Sequence, residues 1–307
     1  MVNIIDIINL YDGNFFGTSS SVPHRAPEGF KWNKQTQNWN GLTVFTDSNI
    51  RISPQINSTK KVFWVMEPRP VWRTYDPELE FFHLTFDLED PALCGIITHD
   101  QPMLDKYPDK TFKSIVGGCW VHDWCEYKLD TKNNKHILAD NPIYKVSNFV
   151  SWKDATSGHG LRHQVAQKYP SPLTFDNTHV DNFGTGVRKF LSFKEPAMNP
   201  YLFHIAIENS QTINYFSEKL IDCFATSCVP LYWGCPNISD YFNPDGIITW
   251  NTLEDLDEIL YQINSDPRGL YASKEEAIRE NFEKAKEYIC TDTWIYNNIL
   301  KEILHAD

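Results

Sequence analysis

The chain has 307 residues, 28 of them basic and 40 acidic, for a formal net charge of −12. A protein that wraps nucleic acid needs a basic surface to displace counterions, so that class is excluded and any anionic ligand must be held by a few local cations. With 41% hydrophobic and 14% aromatic residues the chain can bury sizeable cores and is not disordered, and its length suits two α/β domains of roughly 150 residues each.

The seven cysteines, Cys94, Cys119, Cys125, Cys223, Cys228, Cys235 and Cys290, are odd in number and scattered, with no CxxC pair. That pattern suits reduced thiols in the cytoplasm rather than a disulfide framework. The opening MVNIIDIINLYDG carries Asp6 inside its apolar stretch and lacks a basic start, so it does not read as a signal peptide. No run approaches the ~18 apolar residues of a transmembrane helix.

In chain order, Val2 to Tyr11 reads as a buried strand, and a long polar stretch from Asp12 to Asn40 follows. Loops of that length either face a substrate or simply connect, and both readings stand. Leu42 to Thr46 and Lys61 to Met66 are strand-like, the second running into Glu67-Pro68. A carboxylate at the carboxyl end of a strand, stiffened by a following proline, sits where parallel sheets place their chemistry. The plainer alternative is an ordinary strand-to-loop glutamate. Gly95 to Thr98 is a strand leading to His99-Asp100, Pro102 to Tyr107 a short helix, and Phe112 to Val121 strand-like though broken by Gly117-Gly118. His99-Asp100, His122-Asp123, Cys119 and Cys125 match no known ligand spacing, so no metal site is read from them. The polar run Asp130 to Asn141 marks a boundary, giving domains 1–141 and 142–307.

Lys145 to Trp152 restarts with a strand, and Gly158-His159-Gly160 opens a helix from Leu161 to Tyr169. Arg162 is expected in its first turn, where free N–H groups and the helix dipole favour an anion. It is either a phosphate clamp or a surface arginine. Phe203 to Ile207 is a compact strand broken by Glu208-Asn209-Ser210. Within Tyr215 to Cys228, residues Phe216, Leu220, Ile221, Cys223 and Phe224 recur at helical spacing, and Val229 to Trp233 is the next strand. This is a β-α-β unit, and Glu208, Asn209, Glu218 and Lys219 fall beyond its first strand. Lys219 would neutralise phosphate while Glu218 accepted hydrogen bonds from sugar hydroxyls; the alternative is a solvated Glu-Lys face. Gly246 to Trp250 is a short strand, Leu253 to Ile263 an amphipathic helix, and Ser273 to Ala306 a charged helical tail interrupted near Cys290 to Thr293.

The segment FHIAIENS…YFSEKLIDCFATSCVPLYWGCPNISDYFNP resembles the C-terminal signature of family-10 glycosyltransferases, the α-1,3/1,4-fucosyltransferases. Glu208-Asn209-Ser210, Tyr215, Glu218-Lys219, Val229-Pro230, Tyr232, Gly234 and Phe242-Asn243-Pro244 carry the likeness. Ser217 stands where the family usually has threonine, which keeps the hydroxyl. Upstream, Val146 to Arg162 and Lys61 to Pro68 are similar to the family's arginine-bearing helix and to the strand before its catalytic carboxylate.

The resemblance implies an α/β, GT-B-like fold: two Rossmann-like domains with parallel sheets facing across a cleft, a nucleotide-sugar on the C-terminal one and an acceptor glycan on the other. It implies inverting transfer, most simply of L-fucose from GDP-fucose, in a bacterial- or viral-type member that lacks the Golgi anchor, with cytoplasmic location (host cytoplasm if viral). Glu67 would be the base, Arg162 and Lys219 would neutralise the diphosphate, and Glu218 would hold the ribose. Asn209 and Tyr215 would contact the donor, with Glu208 bracing the loop. No cofactor is then required, and a divalent metal is at most stimulatory. Asp255-Leu256-Asp257 is formally a DxD motif but lies in a surface-helix pattern and reads as solvated. The alternatives are another nucleotide-sugar, or a non-catalytic carbohydrate- or nucleotide-binding protein on the same fold.

Overall fold

Apolar runs without polar alternation suit strands covered on both faces, and such strands pair in parallel. The computed structural model describes residues 2–5, 19–23, 25–34, 38–71, 87–130, 143–171, 180–187 and 189–306, and among them lie two parallel sheets. The first holds β1 (Val2–Ile5), β2 (Trp32–Asn33), β3 (Trp39–Thr46), β4 (Ser58–Trp64), β5 (Leu93–Thr98) and β6 (Thr111–Lys113) in the order β2-β1-β3-β4-β5-β6. The second holds β7 (Ile143–Phe149), β8 (Val180–Phe183), β9 (Tyr201–Ile207), β10 (Val229–Trp233) and β11 (Ile248–Thr249) in the order β11-β10-β9-β7-β8. The α/β class and the paired parallel sheets expected of a GT-B chain are both present. No described helix is long and apolar enough to cross a membrane.

The chain divides into one compact unit of Met1–Gly118, Thr212–Tyr215 and Cys290–Asp307, and a second of Cys119–Gln211 and Phe216–Ile289. This differs from the expected division at residue 141. Residues 131–142, on which most of the polar boundary run falls, lie outside the described residues, as does the continuation of the opening strand over 6–11. The segment before that run goes with the second sheet because Cys125 N–H donates to Ala225 O at 2.9 Å and Tyr127 stacks on Tyr271. The last residues go with the first sheet for a hydrophobic reason. Ile295, Ile299, Leu300 and Ile303 are buried against Val2, Ile4, Leu42, Val44, Val62 and Trp64.

Polar anchoring reinforces that closure. Asp292, fully buried, accepts from Ser19 Oγ at 2.6 Å, Ser20 N–H at 2.8 Å, Ser21 N–H at 3.1 Å and Trp32 Nε1 at 2.6 Å. The described part of the serine-rich stretch is thus tied down by the far end of the chain. The expected strand from Phe112 to Val121 is cut to Thr111–Lys113. Beyond it the backbone leaves the ladder: Thr291 Oγ1 donates to Gly117 O, and a Cβ on Gly118 would come within 2.6 Å of Val22 Cγ1.

The described residues also form helices α1 (Gln101–Lys106), α2 (Ser157–Lys168), α3 (Glu218–Ala225), α4 (Leu253–Ser265), α5 (Pro267–Ala272) and α6 (Glu275–Ala285). The charged tail then breaks up into α7 (Thr291–Ile295), a π-helical turn over Tyr296–Leu300, and α8 (Lys301–His305). Helix α3 is shorter than the span expected from Tyr215 to Cys228. Ser217, extended (φ −126°, ψ −169°), is the N-cap that starts it, and left-handed Ser227 (φ 49°) stops it from continuing.

If the terminal helices complete the first core, Leu300→Ala removes a fully buried side chain and lowers stability by about 2–5 kcal/mol. The exposed Lys301→Ala changes it by no more than about 0.5 kcal/mol. Urea unfolding followed by tryptophan fluorescence distinguishes the two; equal midpoints would mean that the terminal segment contributes nothing to the core.

Candidate functional site

In the second unit, β9 lies between β10 and β7 and is buried along its whole length. Its ladder runs one residue further, Glu208 N–H donating to Trp233 O at 2.9 Å. The Glu208 side chain is also wholly buried. Its Oε1 accepts from Ser217 N–H at 2.8 Å and its Oε2 from Ser217 Oγ at 2.6 Å. Burial raises its acid above the usual carboxylate range, against the pull of Lys219 and the Ser217 hydrogen bonds. Glu208 therefore braces Ser217, the N-cap of α3.

Helix α2 meets the same strand end from another side. Thr156 caps it by accepting from His159 N–H, so the helix begins at Ser157 and Arg162 lies in its second turn, not its first. A Cβ on Gly158 would lie 1.8 Å from Glu208 O, an approach that only glycine allows. Gly158 N–H donates to Asn209 O at 3.2 Å. Arg162 is buried rather than a surface arginine. Its Nε and NH2 donate to Ile207 O at 3.0 and 2.6 Å, and NH2 also donates to Asn209 Oδ1 at 3.0 Å. The arginine thus clasps the strand end and fixes the Asn209 side chain.

Glu218 and Lys219 do not form a solvated face, since their side chains are only 16% and 23% exposed. Lys219 Nζ donates to Ser217 Oγ and to Glu218 Oε1, each at 3.0 Å, and lies 3.8 Å from Glu208 Oε2. Glu218 is held well below the usual carboxylate range, at about 2; burial opposes this, but Lys219 and Lys194 outweigh it. An acid so held presents acceptor oxygens at every physiological pH.

Sequence reasoning missed Lys194 and His159. Lys194 Nζ lies 2.6 Å from Asp222 Oδ2 and 3.9 Å from Glu218 Oε1, 4.8 Å above the Trp120 ring. Its loop has no periodicity to flag it, although Asp222, four residues after Glu218 and so on the same helix face, was a readable signal. His159 shares a 2.9 Å hydrogen bond between Nδ1 and Thr156 Oγ1. Burial first, then Arg162, Lys153, Lys219 and His163, lower its basicity to about 4. The neutral ring thus reflects its burial first and then the cations around it, two of which, Arg162 and Lys219, were anticipated from the sequence.

In the first unit, Glu67 follows the end of β4, half-buried, and its N–H and that of Met66 donate to Asp47 Oδ1 at 3.2 and 2.8 Å. Nearby, Arg69 grips Asp100 with two 2.7 Å bonds. His99 is buried and its Nδ1 has no hydrogen-bond partner; burial depresses its basicity to about 4. The buried Tyr215 ring packs 5.1 Å from the His99 ring, and Asn214 Nδ2 donates to Gln101 Oε1 at 2.8 Å. The remaining DxD carboxylates have local duties: Asp255 completes a capping box with Thr252, and Asp257 pairs with Lys168 and Tyr169, each at 2.6 Å. No cluster of three His, Cys, Asp or Glu side chains among the described residues is arranged to hold a metal ion.

Residues 146–292 match the sequence model of glycosyltransferase family 10 (fucosyltransferase), C-terminal part. That stretch contains Arg162, Glu208, Asn209, Tyr215, Glu218 and Lys219, while Glu67 lies outside it. The chain is 27% identical over 126 residues to the alpha-(1,3)-fucosyltransferase FucT of Helicobacter pylori, an alignment using 39% of this chain and 26% of that protein. The chain thus spans about a quarter of that relative's length. A crystal structure of an alpha1,3-fucosyltransferase superposes with a TM-score of 0.55 at 14% identity, covering 100% of this chain and 90% of the other. An alpha1,3-fucosyltransferase solved with GDP-fucose gives 0.50 at 15% identity, covering 90% and 81%. These likenesses are of fold.

The depressed Glu218 acid fixes a pH dependence. Its stabilising effect is whole above the ordinary value of 4.5 and is lost as pH falls towards about 2. Glu218→Gln lacks that effect, so its deficit in urea midpoint relative to wild type should shrink between about pH 6 and about pH 3. A constant deficit would mean that the two lysines do not hold the acid ionised.

Proposed function

We propose that this chain, which carries the C-terminal domain of glycosyltransferase family 10 over residues 146–292, is an inverting glycosyltransferase that moves L-fucose from GDP-fucose onto a glycan hydroxyl. One observation carries the reading. Arg162, Lys219 and the N-termini of α2 and α3 converge on the end of β9 beside a carboxylate, Glu218, that two lysines hold ionised. A nucleoside diphosphate has these two needs, cations for its phosphates and an acceptor for its ribose hydroxyls. Fucose as the sugar rests on the family's description and on the GDP-fucose bound by a solved fucosyltransferase of this fold.

The reaction needs one base and one stabilised leaving group. The acceptor hydroxyl oxygen bonds to C1 of the donor sugar from the face opposite the diphosphate. The C1–O bond breaks, its electron pair goes to the β-phosphate oxygen, and the hydroxyl proton goes to Glu67. Arg162, Lys219 and the helix N-termini receive the charge that develops on GDP. Glu218 binds the ribose, Asn209 and Tyr215 contact the donor, and Glu208 keeps the loop in place. A single catalytic carboxylate suffices, whereas glycoside hydrolysis usually requires two. With the leaving charge met by protein cations, no cofactor is required and a divalent metal is at most stimulatory, so chelation with EDTA should leave turnover in place. All seven cysteines are free and six are buried, which supports a reducing, cytoplasmic setting.

Glu67→Gln should abolish transfer while calorimetric GDP binding persists; near-wild-type turnover would remove Glu67 from the mechanism. Arg162→Ala and Lys219→Ala should each weaken GDP binding by ~10-fold or more, the loss of a charge-assisted hydrogen bond. Thermal-shift titration against GDP-fucose, GDP-mannose and UDP-sugars tests the donor, because a ligand stabilises by mass action. Greater stabilisation by UDP-sugars would overturn the fucose reading.

A further inference from the structure

Neighbouring parallel strands deliver the residues beyond their carboxyl ends side by side. β3 and β4 pair with Thr46 opposite Trp64, so Asp47, the first residue past β3, emerges beside the chain that continues from β4 to Glu67. Asp47 has φ 44°, in the left-handed region where aspartate and asparagine are the non-glycine residues best tolerated. From there a single oxygen, Oδ1, accepts both the Met66 and the Glu67 N–H, at 2.8 and 3.2 Å. On the other side of Glu67, Pro68 restricts the preceding residue to extended conformations, and Val71 N–H closes the turn onto Pro68 O at 2.9 Å. The Glu67 backbone is therefore clamped before and after its Cα, and the clamp in front is a carboxylate.

We propose that Asp47 is a positioning residue for Glu67, fixing the strand end that carries the base by holding its backbone N–H groups on a carboxylate. This rests on the reading of Glu67 as the base. Burial and the Glu67 charge push the Asp47 acid up to about 7, against the two N–H bonds that favour its ionised form. The other charged groups of these elements are otherwise engaged. Arg51, on the turn that Asp47 begins, is exposed and donates to Ser48 O. Lys61 on β4 pairs with Asp90, and Arg69 pairs with Asp100 beyond β5, where the buried His99 is neutral. Two carboxyls that feel each other lose their protons in two steps that belong to the pair. The second loss is deferred towards neutrality, so the last ionisation of the pair, not that of an isolated glutamate, sets the acid limb of turnover.

Asp47→Asn separates charge from clamp, because asparagine keeps the accepting oxygen and tolerates the left-handed backbone. The acid limb of its kcat/KM profile should move to lower pH by about one unit or more. Donor KM and GDP binding should stay at wild-type values, and the melting temperature above about pH 4 should not fall, because the raised acid costs stability there and asparagine does not. Asp47→Ala loses the clamp as well, and kcat should fall by ~10²-fold, the scale expected when a catalytic group is misplaced, again with GDP binding intact. An Asn profile that superimposes on wild type overturns the proposal, as does loss of GDP binding in that variant, which would mark Asp47 as merely structural. Glu67→Gln serves as the control. If it is inactive while the Asn profile is unmoved, the Asp47 proposal alone fails; if it turns over, the base assignment fails and takes the proposal with it.

Discussion

A carboxylate with no exposed surface sets the geometry of the second sheet's functional end. An unpaired buried charge costs several kcal/mol, and two short hydrogen bonds from Ser217 and the nearby Lys219 ammonium offset part of that cost for Glu208. Its side chain thereby fixes the start of α3, while its carbonyl lies where a Cβ on Gly158 would have to be, at the start of α2. One residue thus places two helix N-termini at one strand end. Their N-termini favour an anion beside Arg162 and Lys219; burial and the surrounding cations keep His159 neutral there.

The charges at this end are matched in a way that separates two functions. Lys194 is drawn down by burial but lifted further by Asp222 and Glu218, and Asp222 is itself held by Trp120 N–H at 2.7 Å. That pair secures Lys194 beside Glu218, which leaves Glu218 an acceptor and not an acid. Lys219, on the other side, bonds the Ser217 hydroxyl that Glu208 also holds. Serine in place of threonine loses only a methyl group here, because every contact that matters is made by the hydroxyl.

Legibility from sequence followed the type of interaction. Strand β10 matches the apolar run Val229 to Trp233 residue for residue, and β9 extends only two residues beyond its run, because continuous apolar side chains and central parallel strands are one physical requirement. That Glu208, Asn209, Glu218 and Lys219 gather at one end of the sheet could be read because a β-α-β unit places the residues beyond its first strand beside the next helix. What escaped depends on contacts distant in sequence or on single backbone angles. Asp47 lies in a left-handed turn that no periodicity marks, and its partner amides are about twenty residues away. Lys194 sits in a loop. The short span of α3 was set by the Ser217 cap and the left-handed Ser227 against an apolar pattern that continued on both sides. The packing of Tyr215 against His99, with which it is counted in the first unit, likewise joins residues more than a hundred apart in sequence.

The path of the chain orders its own synthesis. The second unit draws its residues from 119–289, apart from the loop 212–215, so all of it is translated before residues 290–307. The first sheet is made earlier but is completed later. Until Asp292 appears, Ser19 to Ser21 lack the acceptor that gathers them, and until Ile295 to Ile303 follow, the apolar side chains of β1, β3 and β4 lack their cover. Nascent chains of this protein therefore carry an uncapped sheet for most of their elongation, the kind of surface that chaperones bind. Premature stops upstream of residue 290 leave that surface permanently open, even where every residue at the end of β9 has already been made.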